Sequence, residues 1–217
     1  MSPRPILYSF RRCPYAMRAR MTISYAGIEV RLREVILKDK PAAMLAASSK
    51  GTVPVLIQSD GKVIDESRDI MSWALNQNDP AGWLESADKD NSLVDLCDNE
   101  FKHWLDRYKY AVRFPEHDEG WYRQQGEHFL AQLEMRLSQW RYLTGASLSV
   151  IDVAIAPFVR QFASVDSSWW SDRPYPSVSD WLHAFINSPL FLGAMNKYPQ
   201  WLEGDTDIPF PTQPYEG

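Results

Sequence analysis

The pattern of hydrophobic and polar positions changes character once along the chain. In the first third, short apolar runs alternate with helical stripes. Ile6-Leu7-Tyr8 reads as a strand. After Pro14, the positions Ala16, Ala19, Ile23 and Ala26 fall on one helical stripe, and Gly27 stands where that helix should stop. Residues 29–36 alternate, Val30 and Leu32 against Arg31 and Arg33, which predicts a second strand. The intervening helix makes the two strands parallel. A short helix is expected over residues 41–47, with Pro41 in its first turn. Val55-Leu56-Ile57 and Val63-Ile64 flank Ser59-Asp60-Gly61, and the Asp-Gly pair predicts an antiparallel hairpin. A further helix begins near Glu66 and carries Ile70, Trp73 and Ala74. The order is β-α-β-α-β-β-α, ending near residue 77.

Asn78-Asp79-Pro80-Ala81-Gly82 has the composition of a linker. From about residue 88 the periodicity is helical throughout. Leu93, Cys97, Phe101, Trp104 and Tyr108 mark one helix face. Leu130, Leu133, Leu137 and Trp140 mark a second, and Ile151, Ala154, Ile155, Phe158 and Phe162 a third. Shorter helices are expected around 179–186 and 191–195, and an irregular, Pro-rich tail after Gly204. Ser149-Val150-Ile151-Asp152 matches the acidic form of a helix capping box, and Pro157 should kink the helix it starts or remove a hydrogen bond from it. The predicted fold class is an α+β domain of thioredoxin-like layout over residues 1–78, a linker over 79–87 and an all-α domain over 88–217.

Composition narrows the function classes. Of 217 residues, 45% are hydrophobic and 13% aromatic, so a sizeable core can form and disorder is excluded as a general description. The formal net charge is -5 without a long basic run, which argues against a nucleic-acid surface. The start of the chain lacks the apolar stretch of a signal peptide, and no apolar run is long enough to cross a membrane. Cys13 and Cys97 do not make a disulfide framework, so a reducing, cytoplasmic setting is expected. His103, His117, His128 and His183 show no metal-ligand spacing, so no metal is expected.

The candidate chemistry centres on Cys13, in the segment Cys13-Pro14-Tyr15-Ala16. It falls where the first strand ends and the first helix begins, facing unpaired N–H groups and the positive end of the helix dipole. That setting favours the thiolate, and Arg11 and Arg12 add positive potential. Cys97, on an apolar helix face, reads as a core residue instead. Ala16 stands where a dithiol enzyme would carry its resolving cysteine, so any redox cycle must use an external thiol.

Thr52-Val53-Pro54-Val55 is a second candidate: a cis Val53-Pro54 bond would turn the Val53 backbone toward a peptide-like ligand. Asp65-Glu66-Ser67 is a third, with helix N–H groups and the Ser67 hydroxyl for a carboxylate and Glu66 for an ammonium. Glutathione offers an ammonium, a carboxylate, a peptide-like middle and a thiol, which match Glu66, Ser67, Val53 and Cys13.

These segments together resemble the glutathione transferase superfamily, and within it the cysteine-type omega class. Residues 7–16 resemble its active-site motif, and Leu37-Lys38-Asp39-Lys40-Pro41 its lysine-bearing loop. Gly51-Thr52-Val53-Pro54-Val55-Leu56 and Glu66-Ser67 resemble its glutathione-holding elements. Leu148-Ser149-Val150-Ile151-Asp152 with Pro157 resembles the start of its core helix. The resemblance implies the glutathione transferase fold, a homodimer, and glutathione as co-substrate. It implies a mixed disulfide at Cys13 and a tripeptide held by Lys40, Val53, Pro54, Glu66 and Ser67, with Lys40 facing the glycine carboxylate. It also implies a hydrophobic co-substrate site, for which Phe101, Trp104, Tyr108 and Trp201 are candidates.

The leading expectation is a glutathione-dependent thiol transferase or reductase. Its substrate would be small and hydrophobic or glutathionylated, such as a dehydroascorbate-like compound or an S-glutathionylated aromatic ketone. The alternatives are a conjugating transferase, with Tyr8 or Ser9 as hydroxyl donor to bound glutathione, and a non-enzymatic interaction module of the same fold. Nothing in the sequence calls for a nucleic acid or a membrane as partner.

Overall fold

The computed structural model describes residues 3–87, 91–172 and 174–212, and they form two compact units. The first runs to Gly82 and resumes at Ser188; the second is Trp83–Asn187.

In the first unit the expected order appears as β1 (Ile6–Ser9), α1 (Pro14–Tyr25), β2 (Val30–Glu34), α2 (Ala42–Ala47), β3 (Val55–Ile57), β4 (Val63–Ile64) and α3 (Ser67–Gln77). β1 and β2 are parallel, and β3 and β4 form the antiparallel hairpin. Period-2 alternation builds a core on each face of the sheet. Leu7, Leu32 and Leu56 lie in register and pack with Ala19, Ile23 and Ala26 of α1 and Ile70 and Ala74 of α3. Tyr8 and Val55 point the other way, toward Met44, Val53 and Trp201. Gly27 ends α1 at φ +64, where its N–H reaches the Ser24 carbonyl.

The C-terminal segment departs from expectation. After α11 (Pro189–Ala194), which packs on α1, the chain returns to the sheet. There Ile208–Phe210 adds an antiparallel strand, β5, beside β2, giving the order β4-β3-β1-β2-β5. Pro209 in this strand hid it from propensity, but an edge strand tolerates proline. Asp207 anchors it, accepting from Arg33 Nε at 2.6 Å and pairing with Arg31 at 3.2 Å. The boundary expected at residue 88 lies outside the described residues, and the expected linker contains a short helix, α4 (Trp83–Ala87).

The second unit continues with α5 (Asn91–Leu96), a π turn over Cys97–Phe101, α6 (Lys102–Lys109) and a 3-10 turn over Ala111–Arg113. α7 (Glu119–Leu137), α8 (Val150–Ala163), α9 (Ser167–Ser171) and α10 (Pro176–Ile186) follow. All five residues of the third predicted face are buried on α8. Trp140 is a correction: α7 ends at Leu137, so this ring lies beyond the helix and is exposed. Gly126 of α7 permits close packing, because a Cβ there would come within 2.4 Å of the Phe162 ring.

Asp152 ties this unit together. Fully buried, it accepts from the Ser149 N–H (3.0 Å) and hydroxyl (2.6 Å), which completes the predicted capping box. It also accepts from the Leu143 N–H (3.0 Å) and the Trp181 indole (2.9 Å). Asp152→Ala would strand three buried N–H donors at a cost of at least about 3 kcal/mol. At about 2–4 °C per kcal/mol for a chain this long, the thermal midpoint should fall by about 6–12 °C. Calorimetry checks this, and a fall of less than about 2 °C would count against the network as a structural tie.

Candidate functional site

The three segments singled out in the sequence lie in the sheet-bearing unit. Cys13 is the N-cap of α1, with extended backbone (φ −77, ψ 123) and Pro14 at the first helical position. Its N–H reaches the Phe10 carbonyl at 3.0 Å, which closes a tight turn over residues 10–13. The thiol is half-buried, and its S–H donates to the Val53 carbonyl at 3.6 Å. That contact joins two of the predicted segments across forty residues of sequence. The Val53-Pro54 peptide is cis, and Pro54 leads into β3. Ala16, three residues after Cys13, is fully enclosed. Neither cysteine is in a disulfide, and Cys97 is buried in the second unit.

At the start of α3, Glu66 is the N-cap and Ser67 the first helical residue. The Ser67 hydroxyl oxygen accepts from the Arg18 guanidinium at 3.5 Å, which ties α3 to α1. Asp65 accepts from the Ser48 hydroxyl at 2.6 Å and from Lys50 at 3.0 Å. Ser48 first, and Lys50 after it, hold the Asp65 carboxyl below its ordinary range. Lys50 also reaches Glu66 at 2.6 Å. Gly51 turns the loop before Val53 at φ +61, in the left-handed region that favours glycine. A Cβ on Gly51 would lie 3.9 Å from Lys40 Nζ, so the Lys40 ammonium sits over this loop.

The aromatic candidates are placed differently. Phe101 is buried between Phe129 (4.7 Å between centroids) and Phe162 (5.3 Å). Tyr108 is buried against Phe162 at 4.9 Å, and burial pushes its phenol up to about 12. Both are core residues of the second unit rather than a pocket wall, because their rings are enclosed by other rings. Trp104 is half-buried and meets Trp121 edge-on at 5.6 Å. Trp201 is a core residue of the first unit, packed edge-on to Tyr8 with the Arg33 guanidinium 4.0 Å over its ring. The Tyr8 hydroxyl accepts from Arg33 at 2.6 Å, and Ser9 Oγ is enclosed with no partner among the described residues.

Sequence reasoning passed over Arg18, Arg20, Glu34, Ser48 and Lys50. For the two arginines a signal existed. At 100° per residue, positions 18 and 20 lie about 200° apart, so one polar stripe cannot hold both. In the structure α1 is buried from Ala16 to Tyr25, and both arginines are fully enclosed. Burial brings Arg20 down to about 10 and pushes Glu34 up, each toward its neutral form. Among the described residues, no group of three His, Cys, Asp or Glu side chains could hold a metal, and no helix is long and apolar enough to cross a membrane.

Comparison with known proteins agrees with this architecture. A family model described as Glutathione S-transferase, N-terminal domain, matches residues 7–82, and one described as Glutathione S-transferase, C-terminal domain, matches residues 100–184. Glutathione S-transferase omega-1 of Sus scrofa is 26% identical over 206 residues, covering 93% of this chain and 84% of that protein. A glutathione transferase family member from Pseudomonas fluorescens, solved with two glutathione bound, matches with a TM-score of 0.75 at 13% identity, over 90% of this chain and 93% of its own. A glutathione transferase from Phanerochaete chrysosporium, solved with oxidized glutathione, matches with a TM-score of 0.76 at 15% identity, over 88% of this chain and 94% of its own. With both domain models matched in order and the fold shared over nine-tenths of its length, the chain belongs to the glutathione transferase superfamily.

Proposed function

We propose that this chain is a glutathione-dependent thiol transferase of the omega-like, cysteine-type kind, acting through a mixed disulfide at Cys13. The observation that carries the reading is the Cys13 thiol itself. It stands half-buried at the N-cap of α1, 3.6 Å from the Val53 carbonyl. There the helix N–H groups favour the thiolate, which is the attacking species.

In the reaction, the Cys13 thiolate attacks the glutathione sulfur of a glutathionylated substrate. A Cys13–glutathione disulfide forms, the substrate sulfur leaves as a thiolate, and solvent supplies its proton. The thiolate of a second glutathione then attacks the mixed disulfide. Oxidised glutathione departs and the Cys13 thiolate returns. The second glutathione is needed because Ala16 offers no internal thiol.

The remaining groups suit the tripeptide. Val53 offers backbone to its peptide-like middle, with Pro54 fixing the loop. Ser67 accepts from Arg18, so its own O–H remains to donate to a carboxylate. Glu66 suits an ammonium; Lys50 already places one there at 2.6 Å. Lys40, over Gly51, suits the glycine carboxylate. Conjugation without the cysteine would need a hydroxyl donor at the sulfur. Tyr8 and Ser9 are both fully enclosed, so neither is presented for that role.

Incubation with oxidised glutathione should give a single glutathione adduct by intact mass, and Cys13→Ala should abolish it together with disulfide reduction. An adduct that persists unchanged in Cys13→Ala would remove the mechanism.

Lys50 generates a second prediction. Its ammonium competes with the ligand's for Glu66, so Lys50→Met should lower the KM for glutathione roughly two- to five-fold, the scale of an exposed ion pair, with kcat little changed. A higher KM in steady-state kinetics would mean that Lys50 helps to hold the ligand.

A further inference from the structure

The turn over residues 10–13 is gripped from beneath by a buried ion pair. Glu34, the last residue of β2, accepts the Arg11 N–H at 2.5 Å through Oε1. Its other oxygen accepts from Arg20 at 3.4 Å. Arg20, fully enclosed on α1, donates its second nitrogen to the Arg11 carbonyl at 2.8 Å. Both main-chain groups of Arg11 are therefore held by one pair of side chains, two residues before the thiol. Glu34 is fixed in turn: its main-chain carbonyl accepts from the Trp201 N–H at 2.8 Å, and the next residue, Val35, donates to Ser9 at 2.8 Å.

Stability alone does not explain this pair. Burying a guanidinium and a carboxylate costs several kcal/mol per ion before their attraction is counted, and well-packed apolar side chains often serve as well. Here the grip is incomplete, since Arg20 Nε has no partner among the described residues. What the pair supplies that apolar side chains would not is a fixed peptide and a local charge. The groups acting on the Arg20 charge are Glu34 on β2, Tyr198 in the C-terminal segment, Arg11 on the turn and Cys13 itself.

We propose that Arg20 and Glu34 are positioning residues for Cys13, holding the turn that presents its thiol and setting the local charge beside it. This rests on the reading of Cys13 as the reacting group. The two members act on the sulfur with opposite sign. Arg20 favours the thiolate and Glu34 opposes it, so their removal should shift the thiol in opposite directions.

The test is the pH dependence of iodoacetamide alkylation in the full chain, read by peptide mass so that Cys13 is followed apart from buried Cys97. Glu34→Gln keeps an acceptor for the Arg11 N–H and leaves Arg20 unbalanced. Its Cys13 midpoint should fall by at least about half a pH unit. Arg20→Met leaves Glu34 unbalanced, and its midpoint should rise by a similar amount. Arg20→Lys keeps the charge but not the two-pronged grip. Its midpoint should stay near wild type, while kcat for disulfide reduction falls about ten-fold with the KM for glutathione within about two-fold.

Midpoints that coincide with wild type in Glu34→Gln and Arg20→Met, or that move in the same direction, would overturn the proposal, even if thermal stability falls. Should Arg20→Met fail to fold, Glu34→Gln decides alone. Formation of the glutathione adduct by wild type, measured in parallel, separates the two readings. A missing adduct with opposed midpoint shifts removes thiol transfer and keeps the pair's influence on Cys13. A normal adduct with unmoved midpoints does the reverse.

Discussion

A helix that begins at a cysteine begins without the side-chain oxygen that ordinarily receives its first N–H groups. α1 starts this way: Cys13 is its N-cap, and the thiol makes no capping bond to the helix among the described residues. Replacing a good cap by a residue that cannot serve costs about 1 kcal/mol. Proline at the next position removes one N–H from the account and presets the backbone for a helix. First-turn N–H groups without a side-chain cap favour a thiolate at this position. α3, whose N-cap is Glu66, likewise begins with no side-chain cap. α2 too starts without one, at Pro41, whereas several other starts are closed by side chains. Asp118, Asp166 and Ser188 cap α7, α9 and α11, and Glu134 receives the first N–H groups of α10. At α1 and α3, which carry Cys13 and Ser67, the first-turn N–H groups can serve a ligand or a thiolate instead of a cap.

An uncapped start has to be held from elsewhere, and α1 is held from within. Its buried arginines reach in two directions. Arg20 runs to the turn before Cys13 and to Glu34; Arg18 runs to Ser67 at the start of α3. The helix thereby touches the thiol end and the carboxylate end of the proposed ligand site. The C-terminal return completes the frame. Trp201 bonds to the Glu34 carbonyl and packs on Tyr8, while Asp207 fixes Arg33, which in turn holds the Tyr8 hydroxyl. A segment remote in sequence thus braces the strand that leads into the turn.

Much of this frame was legible because it depends on local rules. Alternation in residues 29–36, the Asp60-Gly61 turn and the Ser149-to-Asp152 cap each specify their element within a few residues, and each appears in the structure. Cys13, Val53 and Glu66-Ser67 could be singled out because they fall at strand ends and helix starts. What was not legible depends on pairing across the chain. β5 is three residues including a proline, and only its place beside β2 makes it a strand. Lys50 reads as a surface lysine until the loop brings it to Glu66. Phe101 and Tyr108 carry the same periodic signal whether they line a pocket or fill a core, and the ring contacts decide for the core.

The same reasoning bears on why the reacting group would be a sulfur from the protein rather than one borrowed from the ligand. To activate a bound thiol, a hydroxyl must project from the end of β1 out of the packed sheet. The two hydroxyl residues there, Tyr8 and Ser9, point into opposite faces of the sheet and are both fully enclosed. The Tyr8 ring is held in place by the Arg33 guanidinium, which donates to its oxygen, and by packing on Trp201. The pleat of a strand held in register on both sides cannot turn them outward without breaking the β1 pairings to β2 and β3. The turn that follows is where the chain first leaves the sheet, and Cys13 is the thiol that turn carries. A sulfur at that corner, on a helix start without a side-chain cap, is the arrangement the surrounding packing can supply.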